Sequence, residues 1–276
     1  MFDINFKYKA ALDLIQRDAP FQPDISIILG SGLGTFADTL EPVTVLLNED
    51  LPGYPAPAVS GHSGKIYFSR FSGKNILLFS GRIHLYEGYK LYETVLPVLV
   101  SKKLGSKYIL LTNAAGGVNS SFTPGDLMLA DSFNGMFLKK ELTGFLGLTG
   151  IDNKNHLIDF PSRELNNIIS AAAGEQNVNL KRGVYWYTKG PSYETPAEVK
   201  MIKKYGGDAV GMSTVQEAVF ACWLGMKVSA VSCITNYASG ISDHKLSHSE
   251  VTITARQVEE KFGNLLRQTI KKLNPS

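Results

Sequence analysis

The feature that most constrains this chain is a set of short, continuously apolar runs that each stop at glycine, serine, threonine or asparagine. Ser26–Leu29 leads into Gly30-Ser31-Gly32-Leu33-Gly34, and Asn75–Phe79 into Ser80-Gly81-Arg82. Tyr108–Leu111 leads into Thr112-Asn113-Ala114-Ala115-Gly116-Gly117, and Lys227–Ile234 into Thr235-Asn236. A strand with one wet face alternates apolar and polar residues, whereas an unbroken apolar run suits a strand buried on both faces. Helical spacing fills the intervals. Thr94–Leu104 ends at Gly105 and carries Pro97 in its first turn, where proline is tolerated; Gln216–Leu224 reads as a buried helix ending at Gly225. From Val251 to Leu273 the apolar residues fall on one face of a final helix. This alternation predicts an α/β sheet with helices on both sides. No internal repeat, low-complexity tract or linker interrupts it, so residues 1–276 read as one domain. Lys139–Pro161, rich in Gly, Asn and Asp, is the least regular stretch, expected as a long loop at the active site or at a subunit contact.

Apolar residues make up 44% of the chain and charged residues 19%, enough for a large core and too apolar for disorder. Lys plus Arg is 28 against 25 Asp plus Glu, a net of +3 without a dense basic run, which argues against a nucleic-acid partner. No stretch approaches the ~20 apolar residues that span a bilayer, and Met1–Ala10 has no signal-peptide core, so a cytoplasmic protein is expected. Cys222 and Cys233 read as small buried hydrophobes in a reducing compartment, with a disulfide as the lesser alternative. The histidines, at 62, 84, 156, 244 and 248, show no paired-ligand spacing, so no metal is expected.

In open α/β sheets ligands sit beyond the carboxyl ends of the strands, so the residues after each run are the first candidates for chemistry. Gly30–Gly34 lets backbone N–H groups approach an anion, and Ser31 adds a donor; a plain tight turn needs the same glycines. Arg82 and His84 alternate, so an extended segment turns both to one side, the guanidinium fork suiting phosphate oxygens. His62, in Gly61-His62-Ser63-Gly64, either closes over a ligand or is a solvated loop residue. Small residues at Asn113–Gly117 allow a ligand, or a packed helix, to approach the backbone. Tyr193 and Glu194 join a ring that stacks on a planar base to a carboxylate that accepts N–H groups, just before a helix start with Thr195 as N-cap and Glu198 three residues on. After Val210-Gly211-Met212, Ser213 or Thr214 either caps the next helix or joins its N-terminus in holding an anion. Asn236 presents both a donor and an acceptor, or simply ends its strand; His248 stands near the start of the last helix.

Taken in order, these motifs resemble the trimeric purine nucleoside phosphorylases, over residues 30 to about 250. The resemblance implies a three-layer α/β/α domain around a mixed central sheet. It implies phosphorolysis of 6-oxopurine nucleosides such as inosine and guanosine, with inorganic phosphate as co-substrate, no cofactor, and a homotrimer. Ser31, Arg82, His84, Ser213 and the Ala114 N–H would hold phosphate, with His62 as a mobile gate. Tyr86 and Met212 would contact the ribose, His248 its 5′-hydroxyl, and Phe160 the ribose of a neighbouring subunit. Tyr193 would pack on the purine, and Glu194 and Asn236 would read its edge, so Asn236, Glu194 and His84 carry the catalysis. The family's Asn-Pro-Leu and Gly-Pro-Asn pattern is replaced here by Glu141-Leu142-Thr143-Gly144-Phe145-Leu146-Gly147. Alternatives are a xanthosine or methylthioadenosine phosphorylase of the same fold, a nucleosidase using water, and a non-catalytic nucleoside-binding relative.

Overall fold

All five residues of β1 (Ile25–Leu29) are buried, as its unbroken apolar run predicts. The computed structural model describes residues 3–57, 64–147, 159–242 and 248–273. Its other strands are β2 (Glu41–Leu47), β3 (Lys65–Phe71), β4 (Lys74–Ser80), β5 (Tyr108–Gly117), β6 (Leu127–Asn134), β7 (Leu180–Tyr187), β8 (Ala209–Gly211) and β9 (Lys227–Tyr237). The helices are α1 (Ile4–Lys7), α2 (Lys9–Asp18), α3 (Leu91–Thr94), α4 (Leu96–Lys103), α5 (Lys139–Leu146), α6 (Arg163–Glu175), α7 (Pro196–Lys204), α8 (Val215–Trp223), α9 (His248–Gln257) and α10 (Glu259–Lys272).

The strands form one mixed sheet in the order β2-β3-β4-β1-β5-β8-β7-β6-β9, and β9 also pairs with β5. The pairs β1–β4, β1–β5 and β5–β9 are parallel, so these strands end on the same side. Side chains alternate across the sheet. Ile28, Leu77 and Leu111 face a core built with α2, α4 and α8, while Ile27, Leu78 and Leu110 face a second core built with α6 and α10. Helices on both sides of a mixed sheet are as expected. The extra β5–β9 pairing closes β5, β8, β7, β6 and β9 into a ring, which the apolar runs do not foretell because β8 has only three residues.

Three elements differ from expectation. The Thr94–Leu104 helix is divided at Val95 (φ −101°, ψ 5°): Pro97 has no N–H to continue the preceding turn, so α4 starts afresh with proline in its first turn. The final helix is divided into α9 and α10 at Val258 (φ −102°, ψ 2°). Lys139–Leu146, expected as loop, is α5, because Leu142, Phe145 and Leu146 share a stripe that packs on the core; residues 148–158 of that stretch lie outside the described ones. Cys222 and Cys233 are free and buried, and burial pushes their thiols up to about 11 and about 12.

At the carboxyl end of β1 the backbone of Gly30 touches β5. Its N–H donates to Thr112 Oγ1 (2.9 Å), and a Cβ there would lie 2.6 Å from both Asn113 Cα and Thr112 O. Neither backbone atom can rotate away. Gly30→Ala is therefore expected to cost about 1–3 kcal/mol in urea unfolding and to displace Asn113; unchanged stability would contradict this contact.

Candidate active site

The parallel strand ends open onto one cleft of about 730 Å³, its mouth included. Ser31 follows β1, Arg82 and His84 follow β4, and Ala114 lies within β5. Met212 and Ser213 follow β8, Asn236 belongs to β9, and Tyr86, Tyr193 and Glu194 complete the wall. Ten of the predicted site residues thus meet in one place.

At one end sit Arg82 and His84. Arg82 is only 2% exposed; its Nε donates to Glu217 Oε1 (3.0 Å) and its Nη1 to Thr112 O (2.7 Å). Glu217, on α8, is 1% exposed. A lone buried guanidinium would carry a large desolvation penalty, and the carboxylate offsets it while fixing the plane of the fork. His84 is anchored in the same way. Glu87 Oε1 accepts from the His84 backbone N–H (2.8 Å) and contacts ring Nδ1 (2.7 Å), while the ring stacks on Tyr86 with centroids 4.7 Å apart. Arg82 and His84 therefore each have a carboxylate behind them, and Nε2 of His84 lies at the far side of the ring from Glu87. Burial raises the Tyr86 phenol to about 12, so it stays neutral.

Ser213 and Thr214 do not cap α8 through their side chains. Thr214 holds φ +77°, in the left-handed region, and makes no side-chain bond to the helix N-terminus. Its hydroxyl instead receives Asn113 Nδ2 (3.0 Å) and shares a hydrogen bond with Ser213 Oγ (3.0 Å). The strained turn sends both hydroxyls sideways to the β5 end, where Ser213 lines the cleft.

The other end offers a carboxylate and an amide. Thr195 caps α7: its Oγ1 accepts from Glu198 N (3.3 Å) and Glu198 Oε2 accepts from Thr195 N (2.7 Å), the predicted reciprocal box. That fixed helix start presents Glu194, whose Oε1 accepts from Thr188 Oγ1 (2.5 Å). Gly190, between them in the chain, has φ +65°, and a Cβ there would lie 2.5 Å from Met212 Sδ, so glycine lets this loop lie against the cleft wall. Asn236 is 9% exposed, its Oδ1 accepting from Thr235 Oγ1 (2.9 Å) and its Nδ2 donating to Tyr237 O (2.9 Å). The second Nδ2 hydrogen remains for a ligand.

Three predicted residues are not among the described lining of the cleft. His62 lies outside the described residues, as does the side chain of His248, although α9 begins at His248 and its Val251 lines the cleft. Phe160 packs on Phe133 of its own chain, centroids 5.2 Å apart. Sequence reasoning assigned nothing to Glu217, Glu87 and Thr188. An acid inside an otherwise apolar, buried helix was the available signal for Glu217, since such a group needs a buried partner.

Residues 24–271 match the family model described as the phosphorylase superfamily. Purine nucleoside phosphorylase 1 of Bacillus subtilis is 39% identical over 271 residues, covering 96% of this chain and 97% of that protein. The enzyme of the same name from Geobacillus stearothermophilus is 38% identical over 270 residues, covering 95% and 96%. Among solved structures, Schistosoma mansoni purine nucleoside phosphorylase in complex with inosine superimposes with a TM-score of 0.88 at 33% identity, covering 100% of this chain and 99% of that one.

Proposed function

This chain belongs to the phosphorylase superfamily and is a purine nucleoside phosphorylase, a pentosyltransferase of nucleoside metabolism; from that premise we propose that it prefers 6-oxopurine nucleosides, inosine and guanosine, and their deoxy forms. The observation that carries this preference is the placing of Glu194 and Asn236 in one cleft with Ser31, Arg82, His84 and Ser213. A 6-oxopurine offers an N1–H donor to a carboxylate and an N7 acceptor to an amide N–H. A 6-aminopurine turns an N1 lone pair toward the carboxylate instead.

In this reading phosphate lies against Arg82, His84, Ser31, Ser213 and the Ala114 N–H, and the purine lies between Tyr193, Glu194 and Asn236. As the C1′–N9 bond breaks, its electron pair passes to the purine and the sugar becomes cation-like. Asn236 donates its second Nδ2 hydrogen to N7, a bond that strengthens as charge builds on the base. A phosphate oxygen stabilises the sugar cation and closes the new C1′–O bond, giving ribose 1-phosphate. The proton that hydrogen phosphate gives up on becoming the ester passes to the purine anion, so hypoxanthine or guanine leaves neutral. Because Glu217 orients Arg82 and Glu87 orients His84, phosphate is held by aimed donors. His62, Tyr86, Met212 and His248 enclose the sugar and phosphate, and Phe160 serves the neighbouring subunit of a cytoplasmic homotrimer. Light scattering should then give three times the 30.2 kDa subunit mass.

The test is a panel of inosine, guanosine, xanthosine and adenosine in phosphate buffer. Inosine and guanosine should exceed adenosine in kcat/KM by at least about a hundredfold, the scale on which hydrogen-bonding sites reject a mismatched edge. Glu194→Ala should lose about a hundredfold or more on guanosine. Adenosine or xanthosine as the best substrate, or wild-type kinetics in Glu194→Ala, would overturn the preference.

A further inference from the structure

Thr188 does not line the cleft, yet it holds the side chain that reads the purine. It directly follows β7, and its backbone N–H donates to Gly211 O (2.9 Å), fixing it to the β8 strand that carries Met212 and Ser213 into the site. Threonine is stiff at χ1, so its hydroxyl is aimed by the backbone. That hydroxyl donates to Glu194 Oε1 at 2.5 Å. Among the described residues, Glu194 Oε2 takes no protein donor. The carboxylate is thus asymmetric before any ligand arrives, with one oxygen engaged by the protein and the other open to the base.

We infer that Thr188 is a specificity-determining positioning residue, which clamps one Glu194 oxygen and tunes the site toward a 6-oxopurine with a single N–H on that edge, hypoxanthine, over one with two, guanine. This rests on the reading of Glu194 as the group that meets the purine edge. Hypoxanthine presents N1–H alone, which the open Oε2 satisfies. Guanine presents N1–H and the 2-amino N–H side by side, a pair that suits both carboxylate oxygens in parallel. With Oε1 already accepting from Thr188, the second guanine bond must compete with an existing one and adds little. The clamp also spares the ligand the cost of ordering a flexible glutamate, and inosine, held by one bond to that carboxylate, depends on this more than guanosine does.

The experiment compares wild type, Thr188→Val and Thr188→Ser on inosine and guanosine at saturating phosphate, and measures the phosphate KM separately. Valine keeps the shape and removes the donor; serine keeps the donor. In Thr188→Val the inosine kcat/KM should fall about tenfold, mostly through the nucleoside KM, while guanosine falls by no more than about threefold, so that the guanosine-to-inosine ratio rises about threefold or more. The phosphate KM should not move, and Thr188→Ser should keep the wild-type ratio. An unchanged ratio in Thr188→Val, or a serine variant that shifts as valine does, would overturn the inference. The underlying reading fails differently: Glu194→Ala would then keep wild-type kinetics on both nucleosides.

Discussion

Asn236→Ala is expected to lower kcat for inosine phosphorolysis by about two to three orders of magnitude, the usual loss when one donor aimed at developing charge is removed. The size follows from where the amide sits. Thr235 Oγ1 holds its Oδ1 and Tyr237 O takes one Nδ2 hydrogen, so the other is already oriented when negative charge reaches the purine. Little reorganisation is needed at the moment of reaction. Because the bond is stronger to the departing base than to the intact nucleoside, the loss should fall on kcat, with a smaller change in KM. Steady-state kinetics of the variant decide this. A rise in KM with kcat unchanged would mean that Asn236 only binds.

The second large effect is on stability. Glu217→Ala leaves the Arg82 guanidinium buried without its carboxylate, and removing one member of a buried pair costs about 3–5 kcal/mol. The same variant should raise the phosphate KM, because the fork then loses the carboxylate that fixes its Nε, although Thr112 O still accepts from Nη1. A double variant, Arg82→Met with Glu217→Leu, separates the two consequences. It removes both charges, so denaturant unfolding should return toward wild type while phosphate use stays lost. If Glu217→Ala unfolds like the wild type, or the double variant regains activity, the pair does not have this role.

Much of this architecture is legible along the chain, for a physical reason. Strands buried on both faces must be apolar throughout, so their ends are marked by the first glycine, serine, threonine or asparagine, and ligand-binding residues follow those ends. Ser31, Arg82, His84 and Asn236 are placed at the cleft this way, and the Thr195–Glu198 box shows itself by local spacing. What is not legible depends on distance in the fold. Arg82 and Glu217 are 135 residues apart in sequence, and only folding shows that they meet. Thr188 and Glu194 are separated by six residues, yet their contact depends on a turn at Gly190. Three residues of β8 carry no periodicity, although they close the ring. In α5 the polar residues, Lys139, Lys140 and Glu141, mask the apolar stripe that packs inward.

The most direct test of the central claim is to incubate the protein with inosine, with and without inorganic phosphate, while following hypoxanthine and the sugar product together. The expected result is hypoxanthine and ribose 1-phosphate in equal amounts, with no release in phosphate-free buffer. Hypoxanthine accompanied by free ribose, at a rate independent of phosphate, would contradict it.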